Sequence, residues 1–121
     1  MAKKILVVDD EPEVVKILQI TLEHAGYQVT TAKNGTQALE CVAADKPDLI
    51  LLDQMMPEMD GLEVTRRLKS DDATDKIPIV ILTAKGTESD LAEGWDSGTD
   101  LYLLKPVMMS DLVSFVNVIL A

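Results

Sequence analysis

Leu49-Ile50-Leu51-Leu52-Asp53 is a run of four aliphatic residues closed by a carboxylate. Nothing in it alternates with polar residues, so it reads as a strand covered on both faces, the kind found in parallel sheets. Related short runs recur on either side, at Ile5 to Val8, Val29 to Ala32, Ile77 to Leu82 and Leu101 to Leu104.

Between these runs lie segments with helical spacing. The first carries Val14, Ile17, Leu18, Leu22 and Ala25 on one face and stops at Gly26. The second runs from about Thr36 to Ala44 and uses Ala38, Leu39 and Val42. The third opens with Asp60 and Glu63, spaced as a capping box, and uses Leu62, Val64 and Leu68. A fourth opens near Thr87 and Asp90, and the last runs from near Ser110 to the end. Strand and helix alternating five times predict one doubly wound (βα)5 domain, a parallel sheet with helices on both faces. In such sheets ligands bind outside the carboxyl ends of the strands.

The residues at those ends carry chemistry. Asp9, Asp10 and Glu11 follow the first strand and Asp53 the third. Thr83 and Ala84 follow the fourth, and Lys105-Pro106 the fifth. Each alone reads as a cap, a turn residue or a solvated lysine. Gathered on one rim they are several carboxylates with one ammonium, a balance that a divalent cation would complete. All the donors are hard oxygens, with no nearby His or Cys in sequence, which selects Mg²⁺ or Mn²⁺ over zinc. A carboxylate can also accept a phosphoryl group, giving an acyl phosphate. Asp53 suits that role because its strand is central; Thr83 and Lys105 suit phosphoryl oxygens.

Composition narrows the partners. The chain has 121 residues, a net charge of -10 and 47% hydrophobic residues, an ordinary one-domain composition. Only 3% are aromatic, so the core must be aliphatic. The negative charge disfavours direct nucleic-acid binding and anionic membranes. Cys41 is the single cysteine, so no internal disulfide forms; it reads as a small core residue. No apolar run approaches membrane-spanning length, and the short run before Asp9 does not make a signal peptide, so a cytoplasmic location is expected.

These segments together resemble the receiver domain of two-component response regulators, over essentially the whole chain. The carriers of the resemblance are Ile5 through Glu11, Asp53 through Gly61, Leu82-Thr83-Ala84 and Tyr102 through Pro106, with Asn34-Gly35 and Gly98 in their usual places. The resemblance implies a flavodoxin-like sheet of order 2-1-3-4-5. It implies phosphorylation of Asp53 by a sensor histidine kinase or histidine phosphotransfer protein. It implies Mg²⁺ ligation by Asp9 or Asp10, Asp53 and the Met55 backbone carbonyl, and a phosphoryl group held by Thr83, the Ala84 N–H and Lys105. Thr83 and Tyr102 match the family's switch pair, Pro106 its conformational proline, and the output surface is the fourth helical segment, fifth strand and last helix. Gln54 and Val107 depart from the commonest pattern, and Met55 and Lys85 sit where phosphoryl lifetime is tuned.

Two other classes compete. An interaction module that is never phosphorylated would not need the Asp10, Asp53, Thr83 and Lys105 set. A Mg²⁺-dependent phosphatase with an Asp nucleophile carries a second acid two residues on, where this chain has Met55 after Asp53. After Asp9 that place holds Glu11, inside a Pro-containing helix start.

The last segment, from Val107 to Ala121, has no Lys, Arg or His and more apolar residues than one buried stripe needs. It reads as a partner surface, including one for a homodimer, as a face that a further domain of a longer protein covers, or simply as an apolar terminal helix. Trp95 is expected on the output face or against Leu91, and His24 on the solvent side of the first helix.

Overall fold

The computed structural model describes residues 2–54, 56, 59–83, 101–104 and 108–121, and of residues 101, 102 and 104 only the backbone. In chain order the elements are β1 (Lys4–Val8), α1 (Pro12–His24), β2 (Gln28–Ala32), α2 (Gly35–Ala44), β3 (Leu49–Asp53), α3 (Gly61–Lys69), β4 (Ile79–Thr83), β5 (Leu101–Leu104) and α4 (Met109–Ile119). The five strands form one sheet of order β2-β1-β3-β4-β5, with every pairing parallel. This is the doubly wound architecture that the alternation predicts.

Strand residues divide by parity, as a period of two requires. Leu6, Val8, Ile50, Leu52, Ile79 and Ile81 pack with α2 and α3 on one face. Ile5, Val7, Leu49, Leu51, Val80 and Leu82 pack with α1 and α4 on the other. β1, β3 and β4 are therefore dry on both sides, and a buried aliphatic side chain is worth about 1.5–3 kcal/mol. β2 lies at the sheet edge, where Gln28 and Thr30 are exposed.

Helix ends follow their local chemistry. The Asn34 carboxamide caps α2, accepting from the Gln37 N–H at 2.7 Å, while the Gln37 carboxamide accepts from the Lys33 N–H at 2.8 Å. This reciprocal cap starts α2 at Gly35, one residue before the sequence expectation. Asp60 caps α3 by accepting from the Glu63 N–H at 3.0 Å. The box is only half closed, because the Glu63 carboxylate lies toward Arg67, 3.9 Å away. Gly26 adopts φ 101° just past α1, a left-handed stop that suits glycine.

Some expectations shift. Ile17 is 54% exposed and not on the buried face of α1. Val14, Leu18 and Leu22 fill the seam against the sheet at four-residue spacing, which leaves Ile17 on its flank. Ala25 is also exposed, since α1 ends before it and Gly26 turns the chain away. β4 begins at Ile79, because Pro78 has no N–H for a ladder; its carbonyl still accepts from the Ile50 N–H. Cys41 is half-buried against the α2–α3 cluster, and His24 is exposed as expected. The expected helix near Thr87 and Asp90, with Lys85, Leu91, Trp95, Gly98 and Val107, lies outside the described residues.

Candidate functional site: an acidic rim at the strand ends

Parallel pairing brings the carboxyl ends of β1, β3 and β4 to one edge of the sheet. The register sets Val8 beside Leu52 and Asp53 beside Leu82. Asp9 follows β1 directly, and Thr83 closes β4 one residue beyond Leu82. Residues 44 positions apart in sequence, Asp9 and Asp53, thus become neighbours.

One carboxylate oxygen from each of Asp9, Asp10 and Asp53 lies within 4.8 Å of the others. Asp9 and Asp53 are buried, at 1% and 5% exposure, and Asp10 is open to solvent. Acids held this close repel, and burial deepens the penalty. The donor set is all hard oxygen and half-enclosed, with an open side, which fits Mg²⁺ or Mn²⁺ and not a softer metal.

Local structure explains how each acid is held. Asp9 is fixed by its own N–H donating to the Ala32 carbonyl at 3.1 Å. Its Oδ1 accepts from the Glu11 N–H at 3.0 Å, forming the turn that opens α1. The helix-start reading of Asp9 therefore holds, and the same carboxylate also belongs to the acid cluster. Beyond Asp53, the Gln54 N–H donates to the Leu82 carbonyl at 3.0 Å and its carbonyl accepts from the Gly61 N–H at 3.0 Å. The first turn of α3 is thus drawn against the end of β3.

That approach makes Gly61 a site residue that sequence reasoning did not single out. A Cβ there would stand 2.7 Å from the Asp53 carbonyl oxygen and 3.0 Å from the Gln54 Cα. The available signal was a glycine at the first position of a capped helix, where it weakens the helix unless space demands it. Gln54 is 3% exposed, a buried amide beside the phosphoacceptor candidate.

Of the remaining candidates, Thr83 is fully buried at the same rim. Tyr102 lies in β5 with its Cα opposite Ile81. The Tyr102 side chain, Met55, Ala84, Lys105 and Pro106 lie outside what is described.

A doubly wound parallel sheet with a carboxylate cluster at its switch-point rim defines a class: α/β domains whose site lies at the carboxyl ends of the strands and offers hard oxygen donors. Within that class the sequence profile described as "Response regulator receiver domain" matches residues 5–117. The chain belongs to that family, whose role is phosphoacceptor signalling in two-component systems.

It is 43% identical over 120 residues to the phosphate regulon transcriptional regulatory protein PhoB of Pseudomonas aeruginosa, covering 99% of this chain and 52% of that protein. It is 45% identical over 120 residues to the alkaline phosphatase synthesis transcriptional regulatory protein PhoP of Bacillus subtilis, covering 99% and 49%. The chain therefore spans about half the length of the curated relatives it matches. Among solved structures, the signal receiver domain of a histidine kinase from Syntrophus aciditrophicus superposes with a TM-score of 0.93 at 35% identity, covering 98% of this chain and 90% of that one. Chemotaxis protein CheY4 of Vibrio cholerae gives 0.92 at 29% identity, covering 98% and 99%. Among the described residues no helix is long and apolar enough to cross a membrane.

Proposed function

We propose that Asp53 is the phosphoacceptor of this chain. The observation that carries the reading is the convergence of Asp9, Asp10 and Asp53 within 4.8 Å, with Asp53 at the end of the central strand. Asp9, Asp10, Asp53 and the Met55 carbonyl are the proposed ligands of Mg²⁺, which Mn²⁺ replaces. A bound ion would supply charge neutralisation for the incoming phosphoryl oxygens.

The chain's own part is positioning. Asp53 attacks phosphorus with one carboxylate oxygen, and the bond from phosphorus to the donor breaks with its electron pair leaving on the donor. The donor is a sensor histidine kinase or histidine phosphotransfer protein. Thr83 and the Ala84 N–H donate to the transferred phosphoryl oxygens, and the Lys105 ammonium pairs with another. Pro106 sets the approach of Lys105. These transfers to and from its own aspartate are the only chemistry proposed; no external substrate is turned over.

Phosphorylation adds about −1.5 to −2 charge at one point. Thr83 turns toward it and Tyr102 fills the vacated space, which re-forms the surface of the fourth helical segment, β5 and α4. Only the difference in interaction between the two conformations shifts their populations. That surface controls an output domain or a protein target. A cytoplasmic setting belongs to the same proposal.

The test is labelling by acetyl phosphate in Mg²⁺, read by intact-protein mass. Asp53→Asn is expected to abolish the added phosphoryl group. Labelling that persists elsewhere at the parental rate would refute the assignment. Lys105→Ala is expected to keep the fold but uncouple labelling from the conformational change.

A further inference from the structure

The acid cluster opens on one side into a cleft of about 500 Å³ between α1 and the start of α2. Asp9 and Asp10 line it together with the apolar Pro12, Val15 and Ala32. Lys16 from α1 and Lys33 from the end of β2 also line it, with Gln19, Thr31 and Gln37 between them. A phosphoryl group and a cation occupy only a small part of such a volume, which lies in the range of small-molecule sites.

The charge pattern singles this cleft out. The chain carries 21 acids against 11 Lys and Arg, and the rim adds three carboxylates at the point where a donor must arrive. Phosphodonors are anionic, so the overall field opposes their approach. Lys16 and Lys33 are exposed, and among the described residues neither is ion-paired with an acid. The other lysine ammoniums with recorded partners are committed elsewhere: Lys4 to Asp45, and Lys69 to the carbonyls of Asp75 and Ile77.

We propose that this cleft is an anion subsite for acyl phosphate donors, with Lys16 and Lys33 as its cationic walls. It attracts the anionic donor before transfer, and the acyl end stays on the cleft side while the phosphoryl group meets Asp53. In the transfer, the bond between phosphorus and the bridging oxygen of acetyl phosphate breaks and acetate leaves with the electron pair. A new bond joins phosphorus to the Asp53 carboxylate oxygen, and no proton moves. The subsite rests on the phosphoacceptor reading of Asp53, but the two can fail separately.

The first probe is acetonylphosphonate, in which a methylene replaces the bridging oxygen so that no transfer occurs. Titration into the Mg²⁺-loaded protein is expected to shift the amide resonances of residues 13–19 and 31–37 with saturation. Lys16→Gln/Lys33→Gln is expected to raise the half-saturation about fivefold or more, in line with the effect of removing focused charge from a cleft. Lys16→Arg/Lys33→Arg should restore most of the loss. Both side chains are exposed, and far-UV circular dichroism checks that the fold is kept.

The second measurement is labelling rate. With acetyl phosphate the double variant should show a raised half-saturation, an unchanged maximal rate and a weaker salt dependence. With phosphoramidate, which has no acyl end, the change should be much smaller. Parental behaviour of the Gln variant with both probes would overturn the subsite, as would amide shifts confined to the neighbours of Asp53. If the unaltered protein is labelled by neither donor, the phosphoacceptor reading fails, and the acetonylphosphonate titration still decides the subsite.

Discussion

Replacing Gly61 by alanine sets two physical effects against each other. Helix propensity alone favours the change by up to about 1 kcal/mol, because alanine restricts the unfolded chain and glycine does not. The tertiary structure opposes it. The new Cβ would stand 2.7 Å from the Asp53 carbonyl oxygen, 3.0 Å from the Gln54 Cα and 3.3 Å from the Asp53 carbonyl carbon. These are backbone atoms at the end of the central strand and cannot swing aside. Ordinary contact needs about 3.4 Å, so α3 and β3 must part by roughly 0.7 Å locally. Forcing extra volume into packed structure costs about 1–3 kcal/mol. Parting also stretches the bond from the Gly61 N–H to the Gln54 carbonyl, now 3.0 Å. The expected net result is a loss of about 1–2 kcal/mol, a fall in the thermal midpoint of roughly 5 °C for a domain of this size. Thermal unfolding followed by circular dichroism measures it. A midpoint that stays or rises would show that the close approach is not what requires glycine. Because the displaced atoms carry Asp53, acetyl phosphate labelling should slow in the same variant.

Three further outcomes are expected. Asp60→Ala removes the carboxylate that accepts the Glu63 N–H and should lower stability by about 1 kcal/mol in urea unfolding, with Asp60→Asn losing less. Lys69→Met keeps the aliphatic stem but loses the ammonium bonded to the Asp75 and Ile77 carbonyls at 3.1 and 2.9 Å; a loss of about 1–2 kcal/mol is expected, and hydrogen exchange should rise first near residues 74–77. In the third, Mg²⁺ at a hundredfold excess over its dissociation constant should raise stability by about 2.7 kcal/mol, a gain that EDTA removes. Asp9→Asn should behave oppositely in the two conditions. Relief of like-charge repulsion should stabilise the metal-free protein, while the gain from Mg²⁺ should largely vanish. An unchanged Mg²⁺ response in that variant would remove Asp9 from the ligand set.

Much of the fold was legible in the chain. The aliphatic runs, the spacing between them and the caps at Asp60 and Gly26 are local features, and local sterics and hydrogen bonding fix them. That Asp9, Asp53 and Thr83 share a rim followed from the parallel topology, because consecutive strands then end at the same edge. The family resemblance added strand order and chemical roles that spacing does not supply.

Other features depended on which surfaces meet. Ile17 has the helical spacing of a buried residue, yet the sheet takes up Val14, Leu18 and Leu22 and leaves it in water. Gly61 reads as a poor helix residue until the Asp53 carbonyl is found against it. Lys16 and Lys33 are 17 positions apart and individually ordinary; packing of α1 beside β2 makes them walls of one cleft. The sequence by itself determined the elements, their alternation and the acids at the strand ends, because those follow from covalent geometry and the period of hydrophobicity. Only the tertiary structure decided that three acid oxygens lie within 4.8 Å and which glycine must stay small, because separations of a few ångströms are set by close packing between distant segments.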